Sequence, residues 1–149
     1  MDTSSWLPTL LSGVESVPIA FSLASATKPG FPLVYVNKQF ELLTGYPRAE
    51  VLGQSCQFLQ APGVSEESSI AAMREALLQQ VGFTVSITNV RKDKRQFVNL
   101  ITSKPIFDQD GILQYVIHLF TAVVEHPPAV LEHYTVDLLK MLPSVVRSA

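Results

Sequence analysis

The spacing of apolar residues divides the first half of the chain into short elements. An apolar stripe over residues 6–14 predicts a short N-terminal helix. Two apolar runs, 19–23 and 33–36, flank a Lys-Pro-Gly cluster, and they predict two strands joined by a turn. The more polar stretch 37–52 contains a glycine and a proline, so it predicts two short helices rather than one long helix.

The spacing of apolar residues changes twice in the second half of the chain. Ser65 is expected to cap the best helix of the chain, whose apolar positions extend to Val81 at helical spacing. After Gly82, apolar and polar residues alternate. This alternation predicts strands at 83–89 and 97–101, joined by a charged turn.

The last elements complete the expected fold. Residues 113–124 form a long apolar run and predict a central strand, and residues 130–145 predict an amphipathic C-terminal helix. The order of elements predicts an α+β fold, with one five-stranded antiparallel sheet, helices over one face, and N- and C-terminal flanking helices. We expect the flanking helices within 1–17 and 126–149, and the folded domain within 18–125.

Composition narrows the classes of function. The chain has 149 residues, of which 47% are hydrophobic and 16% charged, which is material for one packed domain. Its net charge of −2 gives no reason to expect nucleic acid or an anionic membrane as a partner. No apolar run is long enough to span a bilayer, and no charged segment precedes an early apolar one. The single cysteine, Cys56, excludes an internal disulfide, so we expect a reducing, cytoplasmic location.

Two asparagines lie at apolar positions of neighbouring predicted strands. A turn centred near Asp93 and Lys94 would place Asn89 and Asn99 opposite each other, roughly 5 Å apart. A buried amide without a partner costs about 1–3 kcal/mol, so each needs one. The two amides could pair with each other, with backbone or with water, or they could bind the imide edge of a pyrimidine-like ring.

Three further residues are unusual for a plain core. Arg74 lies at the border of the apolar face of its helix, where it either reaches water or holds a phosphate at the mouth of a pocket. His118 lies in the most apolar strand, where a structural role is commoner than a ligand or a base, and no second His or Cys stands at metal-like spacing. Cys56 is either an inert packing residue or a reactive thiol.

Several motifs in order resemble the LOV family of PAS domains. The LOV signature G-x-N-C-R-F-L-Q is similar to residues 53–60, which read GQSCQFLQ. Upstream, residues 33–46 resemble the PAS pattern that leads into this signature. Downstream, Asn89 and Asn99 fall where the family has its flavin-binding asparagines, and the turn 108–111 matches its last hairpin. The resemblance covers roughly residues 18–124 and implies the PAS/LOV fold.

The resemblance implies a blue-light photoreceptor module, not an enzyme. Such a domain binds FMN, with riboflavin or FAD as alternatives. By resemblance, Cys56 is the photoactive thiol that forms a reversible light-induced adduct with flavin C4a. Asn89 and Asn99 would bind the pyrimidine edge, Gln60 the ribityl chain or the ring, and Arg74 the terminal phosphate. The full set of expected cofactor contacts is Asn89, Asn99, Gln60, Gln57, Arg74, Ile101, His118, Phe120, Leu33 and Asn37.

The chain departs from the family at four of these motif positions. Gln57 replaces the signature arginine, and Ser55 replaces the signature asparagine. Phe120 stands where most LOV domains have a glutamine that hydrogen-bonds flavin N5 and O4, and His118 stands where a glycine approaches the ring. Phenylalanine cannot make that hydrogen bond. Either His118 replaces the glutamine as hydrogen-bond donor, or the signal leaves the flavin by another route, such as contact between protonated flavin N5 and the protein backbone.

The flanking helices suggest how a signal leaves the domain, and two other functions are also compatible with the sequence. The flanking helices either pack on the sheet or pair two protomers into a homodimer, and the downstream effector is unknown. One rival is a PAS domain that binds a ligand or a protein without photochemistry. Another is a cysteine-dependent enzyme, but the sequence has no evident base beside Cys56.

The Gln57 substitution predicts relaxed flavin selectivity. A neutral side chain replaces one of two charged phosphate contacts, and charge-assisted hydrogen bonds are the stronger ones. We therefore expect weaker discrimination between FMN and riboflavin than two arginines would give. Calorimetric titration with both flavins measures the difference, and a large preference for FMN would contradict the prediction.

Overall fold

The computed structural model describes residues 3–123 and 137–145, with side chains from residue 6 onward. Residues 137–141 are also helical, and no helix of the described residues is long and apolar enough to cross a membrane. The elements in chain order are α1 Thr3–Val14, β1 Ala20–Ser25, β2 Leu33–Val36, α2 Lys38–Thr44, α3 Arg48–Val51, a 3₁₀ turn Cys56–Leu59, α4 Glu67–Gln79, β3 Phe83–Val90, β4 Gln96–Phe107 and β5 Leu113–Ala122.

The five strands form one antiparallel sheet in the order β2-β1-β5-β4-β3. The predicted α+β fold is thereby confirmed, and the long apolar strand β5 is central as expected. A central strand is covered on both faces, which explains why its apolar run is nearly continuous.

Alternation along β1 and β5 divides the core into two layers. Phe21 and Leu23 of β1 and Ile117 and Leu119 of β5 pack with α1 and the segment 137–142. The intervening residues face α2, α3, the 3₁₀ turn and α4 on the other side of the sheet. The period of two therefore gives each strand two buried faces. The sheet carries helices over one face, as expected, and the flanking segments cover the other.

Asn37 links three elements through its side chain. It is fully buried and caps the N-terminus of α2. Its Oδ1 accepts hydrogen bonds from the backbone N–H groups of Phe21 at 2.9 Å and Phe40 at 3.0 Å. Its Nδ2 donates to the carbonyl oxygens of Val14 and Ile19, each at 2.9 Å. All the amide's main bonding directions are thereby used within the fold.

The predicted cap of α4 is wrong by one residue. The cap position belongs to Glu66, and Ser65 instead accepts from Ala61 N at 3.1 Å and donates to Thr88 O at 2.5 Å. The Glu66 carboxylate accepts from Thr88 N and Oγ1, at 2.7 and 2.9 Å. Both side chains therefore attach the start of the helix to β3, a tertiary contact that local capping rules do not include.

The C-terminal stripe is described only in part. Residues 130–136 lie outside the described residues. Leu138 and Leu142 are buried, whereas Met141 is 81% exposed and Val145 forms a short bridge to Phe107. The described helical turn therefore ends at residue 141, and Val145 pairs as extended chain rather than continuing the helix.

Glu15, Tyr35 and Arg48 form a polar cluster between α1, β2 and α3. Arg48 Nη2 lies 2.5 Å from Glu15 Oε1, and the Tyr35 hydroxyl donates to Glu15 Oε2. The Arg48 guanidinium also lies 5.1 Å from the centre of the Tyr35 ring. Burial raises the pKa of Glu15, but the bonds from Tyr35 and Arg48 outweigh it, so the pKa is lowered overall. The cluster holds the end of α1 on the core.

We expect Glu15→Gln to weaken the fold by about 0.5–1 kcal/mol at neutral pH, the scale of a half-exposed ion pair. Because the folded pKa is lowered, the contribution of Glu15 is present above its ordinary value of 4.5 and is lost as the pH falls through the folded value. Urea unfolding at pH 7 and pH 4 tests this. The matched control is Glu75→Gln on the exposed side of α4, and equal losses for both variants would contradict the role of Glu15.

Candidate functional site

A cavity of about 410 Å³ lies between the inner face of the sheet, the 3₁₀ turn and α4. This volume is within the usual range for a small-molecule site. Most of the residues expected to contact a cofactor line it, namely Cys56, Asn89, Gln57, Gln60, Arg74, Ile101, His118, Phe120 and Leu33.

Two expected contacts do not line the cavity. Asn99 is fully buried behind Asn89, and its Nδ2 donates to Asn89 Oδ1 at 2.9 Å. Asn37 is committed to the backbone bonds of α1, β1 and α2, so its expected contact with a cofactor is wrong. Its position before a helix gives the physical reason, because asparagine is a favoured N-cap residue.

The pairing of β3 and β4 differs from the expected register. Asn89 lies opposite Phe97 and Asn99 opposite Ile87, so the two asparagines are diagonal rather than directly opposed. The shift is two residues, which leaves both side chains on the cavity face of the sheet. Their amides bond to each other, which is one of the alternatives predicted. Asn99 Oδ1 is buried and has no partner among residues 3–123 and 137–145.

Cys56 begins the 3₁₀ turn and lines the cavity. Ser55 caps the turn by accepting from Gln57 N at 3.4 Å. Burial raises the pKa of the Cys56 thiol to about 12, against a smaller lowering by the nearby Ser22 hydroxyl. The sulfur therefore keeps its proton at neutral pH, which is the opposite of the thiolate that a hydrolytic cysteine needs.

His118 lies on the cavity wall at the centre of the sheet. Its ring lies 5.8 Å from that of Phe83 and 5.9 Å from that of Phe120, between ring centres. Burial lowers its pKa to about 4, so the imidazole is neutral, and within the described part of the chain Nε2 has no hydrogen-bond partner. The described residues hold no cluster of three His, Cys, Asp or Glu that would suit a metal ion.

The rim of the cavity is more polar than its interior. Gln57 and Arg74 are exposed there, and Gln60 is partly buried between them and the interior. None of the ion pairs among the described residues involves Arg74. The site therefore offers an apolar slot with one charged group at its mouth.

Some lining residues were missed from the sequence. Met73 and Leu77 of α4 line the cavity, and the helical stripe that predicts α4 also predicts them. Phe83 lies on the same face of β3 as Asn89. The alternation that places Asn89 toward the core therefore also predicts Phe83 there. Phe31 lies in the loop before β2 with a positive φ of 50°, a conformation that no sequence pattern indicates.

The chain belongs to the PAS domain family, because the PAS domain family model matches residues 19–124. Among curated relatives, it is 35% identical over 105 residues to Blue-light-activated histidine kinase 1 of Erythrobacter litoralis, covering 70% of this chain and 29% of that protein. It is 35% identical over 102 residues to Phototropin-2 of Oryza sativa subsp. japonica, covering 68% of this chain and 11% of that protein. The chain thus spans less than a third of the length of these relatives.

Solved structures place the chain near LOV domains within that family. The LOV domain of the Erythrobacter litoralis EL346 blue-light activated histidine kinase is similar with a TM-score of 0.69 and 28% identity, covering 73% of this chain and 99% of that one. An RNA-binding Light-Oxygen-Voltage Receptor is similar with a TM-score of 0.75 and 32% identity, covering 95% of this chain and 39% of that one. The resemblance to LOV domains is confirmed.

We expect His118 to make the fold sensitive to acid. Its folded pKa lies below the ordinary value of 6.5, so the unfolded chain binds the proton first as the pH falls. The free energy of unfolding should fall by roughly 1–2 kcal/mol between pH 7 and pH 5 because of this residue. His118→Phe should lose that part of the dependence in denaturant titrations, whereas an unchanged slope would contradict the burial of a neutral imidazole.

Proposed function

We propose that the chain is a blue-light sensor module that binds a flavin in the cavity and forms a reversible adduct between Cys56 and flavin C4a. The observation that carries the proposal is the position of the only cysteine. Its neutral thiol lies partly buried on the wall of a cavity of about 410 Å³ that Asn89 also lines. The similarity to blue-light receptors supports light as the stimulus.

The asparagine pair suits the polar edge of an isoalloxazine. Asn89 lines the cavity, and its Oδ1 already accepts from Asn99, so its Nδ2 is the group left for a ligand. Asn99 Oδ1 is a buried acceptor without a partner, a state that is costly. An imide edge that donates and accepts would satisfy these groups after a small movement of the two side chains.

The rim suits a single phosphate. Arg74 supplies one positive charge at the cavity mouth, and Gln57 supplies a neutral amide beside it. FMN is therefore the proposed cofactor, with riboflavin and FAD as alternatives. For the selectivity titration described above, Gln57→Arg is the matched variant, because it restores the second charge at the same rim position.

His118 replaces the missing glutamine in this proposal. Phe120 packs against Phe40 with ring centres 5.5 Å apart and offers no hydrogen bond. Gln114 is too far along β5, where its Nε2 donates to Asp108 Oδ2 at 3.1 Å. The neutral His118 imidazole is then the side chain of β5 at the cavity that can donate to the flavin.

Once bound and excited by blue light, a flavin supplies an electrophilic ring carbon and a basic ring nitrogen. The protein supplies the thiol proton and surroundings that exclude water. Cys56 holds its proton until that moment, and the apolar lining from Ile101, Leu33 and Phe120 excludes water. Orientation and dryness are the contributions expected of a protein around such a cofactor.

We propose that the light signal leaves the domain through its flanking segments, α1 and residues 137–142. α1 and residues 137–142 cover the sheet face opposite the cavity, and they share β1 and β5 with it. A homodimer through these segments and an unidentified effector are parts of the proposal, as are a cytoplasmic location and no binding of nucleic acid or membrane. The kinase activity in the relatives' names is not assigned to this chain, which we propose is not itself an enzyme.

The test is an absorption spectrum before and after blue illumination. We expect a yellow protein whose banded flavin spectrum bleaches under blue light and recovers in the dark. Cys56→Ala should bind flavin but abolish the bleaching completely, because no other cysteine exists in the chain. Cys56→Ser, which keeps the shape of the side chain, should behave in the same way.

Two outcomes would contradict the proposal. A protein that stays colourless after reconstitution with flavins would instead be a PAS domain that binds another ligand or a protein. Bleaching and dark recovery that persist in Cys56→Ala would show that a different group carries the light response.

A further inference from the structure

A short polar row crosses the middle of the sheet, on the face that His118 shares with the cavity. Ser22 of β1 is fully buried and lies directly opposite His118 of β5 in the strand register. Ser103 of β4 lies opposite His118 from the other side. Side chains of directly opposed residues in an antiparallel pair have Cβ atoms about 4.5–5.5 Å apart. The register therefore places a hydroxyl on each side of the imidazole.

The row extends from the sheet to Cys56. The Ser22 hydroxyl has no hydrogen-bond partner among the described residues, and neither has His118 Nε2. Burial raises the pKa of the Cys56 thiol, and the nearby Ser22 hydroxyl lowers it by less. Cys56 and His118 line the same cavity. Thiol, hydroxyl and imidazole thus follow one another, and each retains capacity to pass a proton.

We propose that Ser22 connects Cys56 to His118 as a proton relay, which sets how fast the bond between Cys56 and the flavin breaks in the dark. This inference rests on the proposed function and adds the groups that return the proton. Ser22 is a positioning and relay residue, and His118 is the base.

The proton balance is closed without any co-reactant. When the carbon–sulfur bond breaks, its electron pair returns to Cys56 Sγ, which then needs one proton. One proton leaves the flavin nitrogen at the same time. His118 accepts that proton at one ring nitrogen and donates from the other to Ser22, whose hydroxyl passes a proton to the sulfur. No electron is gained or lost overall.

The surroundings of His118 make it the group that sets the pH dependence. The other titratable or charged side chains that line the cavity are Cys56 on the 3₁₀ turn and Arg74 on α4. From the strands packed beside it, β1 and β4, the opposed residues are the serines. Lys104 of β4 binds the carbonyl oxygens of Leu139 and Leu142 on the opposite face of the sheet.

The first measurement is the infrared S–H stretching band of the flavin-bound protein in the dark. The chain has one cysteine, so the band has one source. Ser22→Ala should move the band to higher frequency, because the thiol loses a hydrogen-bond partner. Ser103→Ala is the matched control and should leave it in place. A band that does not move in Ser22→Ala would overturn the contact between thiol and hydroxyl.

The second measurement is dark recovery after a blue pulse, followed by absorbance between pH 4 and pH 8. Ser22→Ala and His118→Phe should recover at least about tenfold more slowly, a conservative expectation against the roughly 10²–10⁴-fold that positioned acid–base groups contribute. Ser103→Ala should stay within about twofold. The wild-type rate should fall as the pH approaches 4, where His118 gains a proton and can no longer accept one, and His118→Phe should lack this fall.

The outcomes separate the relay from the photochemistry. Full bleaching in both variants with wild-type recovery would overturn the relay and leave the proposed function intact. Equal slowing in Ser103→Ala would overturn Ser22 as the connection. Absence of bleaching in the wild type would overturn both proposals. Should a variant fail to fold, a wild-type recovery rate that does not change between pH 4 and pH 7 would overturn the role of His118.

Discussion

The Cys56 thiol lies partly buried on the wall of a largely apolar cavity, and the chemistry of the site depends on this surrounding. Burial raises the thiol's pKa to about 12, so the sulfur is protonated and unreactive at neutral pH. A thiol in that state does not attack an ordinary substrate, because the thiolate is the nucleophile. In the proposed function the reaction starts from the other side, with a flavin that becomes electrophilic and basic only when excited. A protonated thiol is compatible with that role and does not suit steady hydrolytic turnover.

The alternation of strand residues connects the cavity to the flanking segments. In β5, Val116, His118 and Phe120 face the cavity, whereas Ile117 and Leu119 face α1 and the segment 137–142. Adjacent residues of one strand thus belong to two layers. A shift of the backbone at His118 moves both layers, because close-packed interiors transmit strain. The Glu15 cluster binds Arg48 of α3, the helix that precedes the 3₁₀ turn carrying Cys56.

Patterns with a fixed period could be predicted from the sequence, and contacts that depend on tertiary partners could not. The period of two placed Asn89 and Asn99 on the apolar faces of their strands, and the family motifs identified Cys56 and the position of His118. The register of β3 and β4 shifted by two residues, because it is set by the turn around Asp93. The cap of α4 and the bonds of Asn37 depend on strands distant in sequence, which local rules do not describe.

Ser22 shows why a site residue can escape sequence analysis altogether. A single serine in an apolar strand carries no motif, and its position opposite His118 exists only once β1 and β5 pair. Among the described residues, five buried side-chain atoms have no partner. Trp6 Nε1 and Arg48 Nε lie away from the cavity, whereas Ser22 Oγ, Asn99 Oδ1 and His118 Nε2 belong to the sheet face that carries it. Each such group costs folding free energy of about 1–3 kcal/mol. A bound molecule with polar edges would offset that cost for the three groups on the cavity face, which supports the cavity as a ligand site.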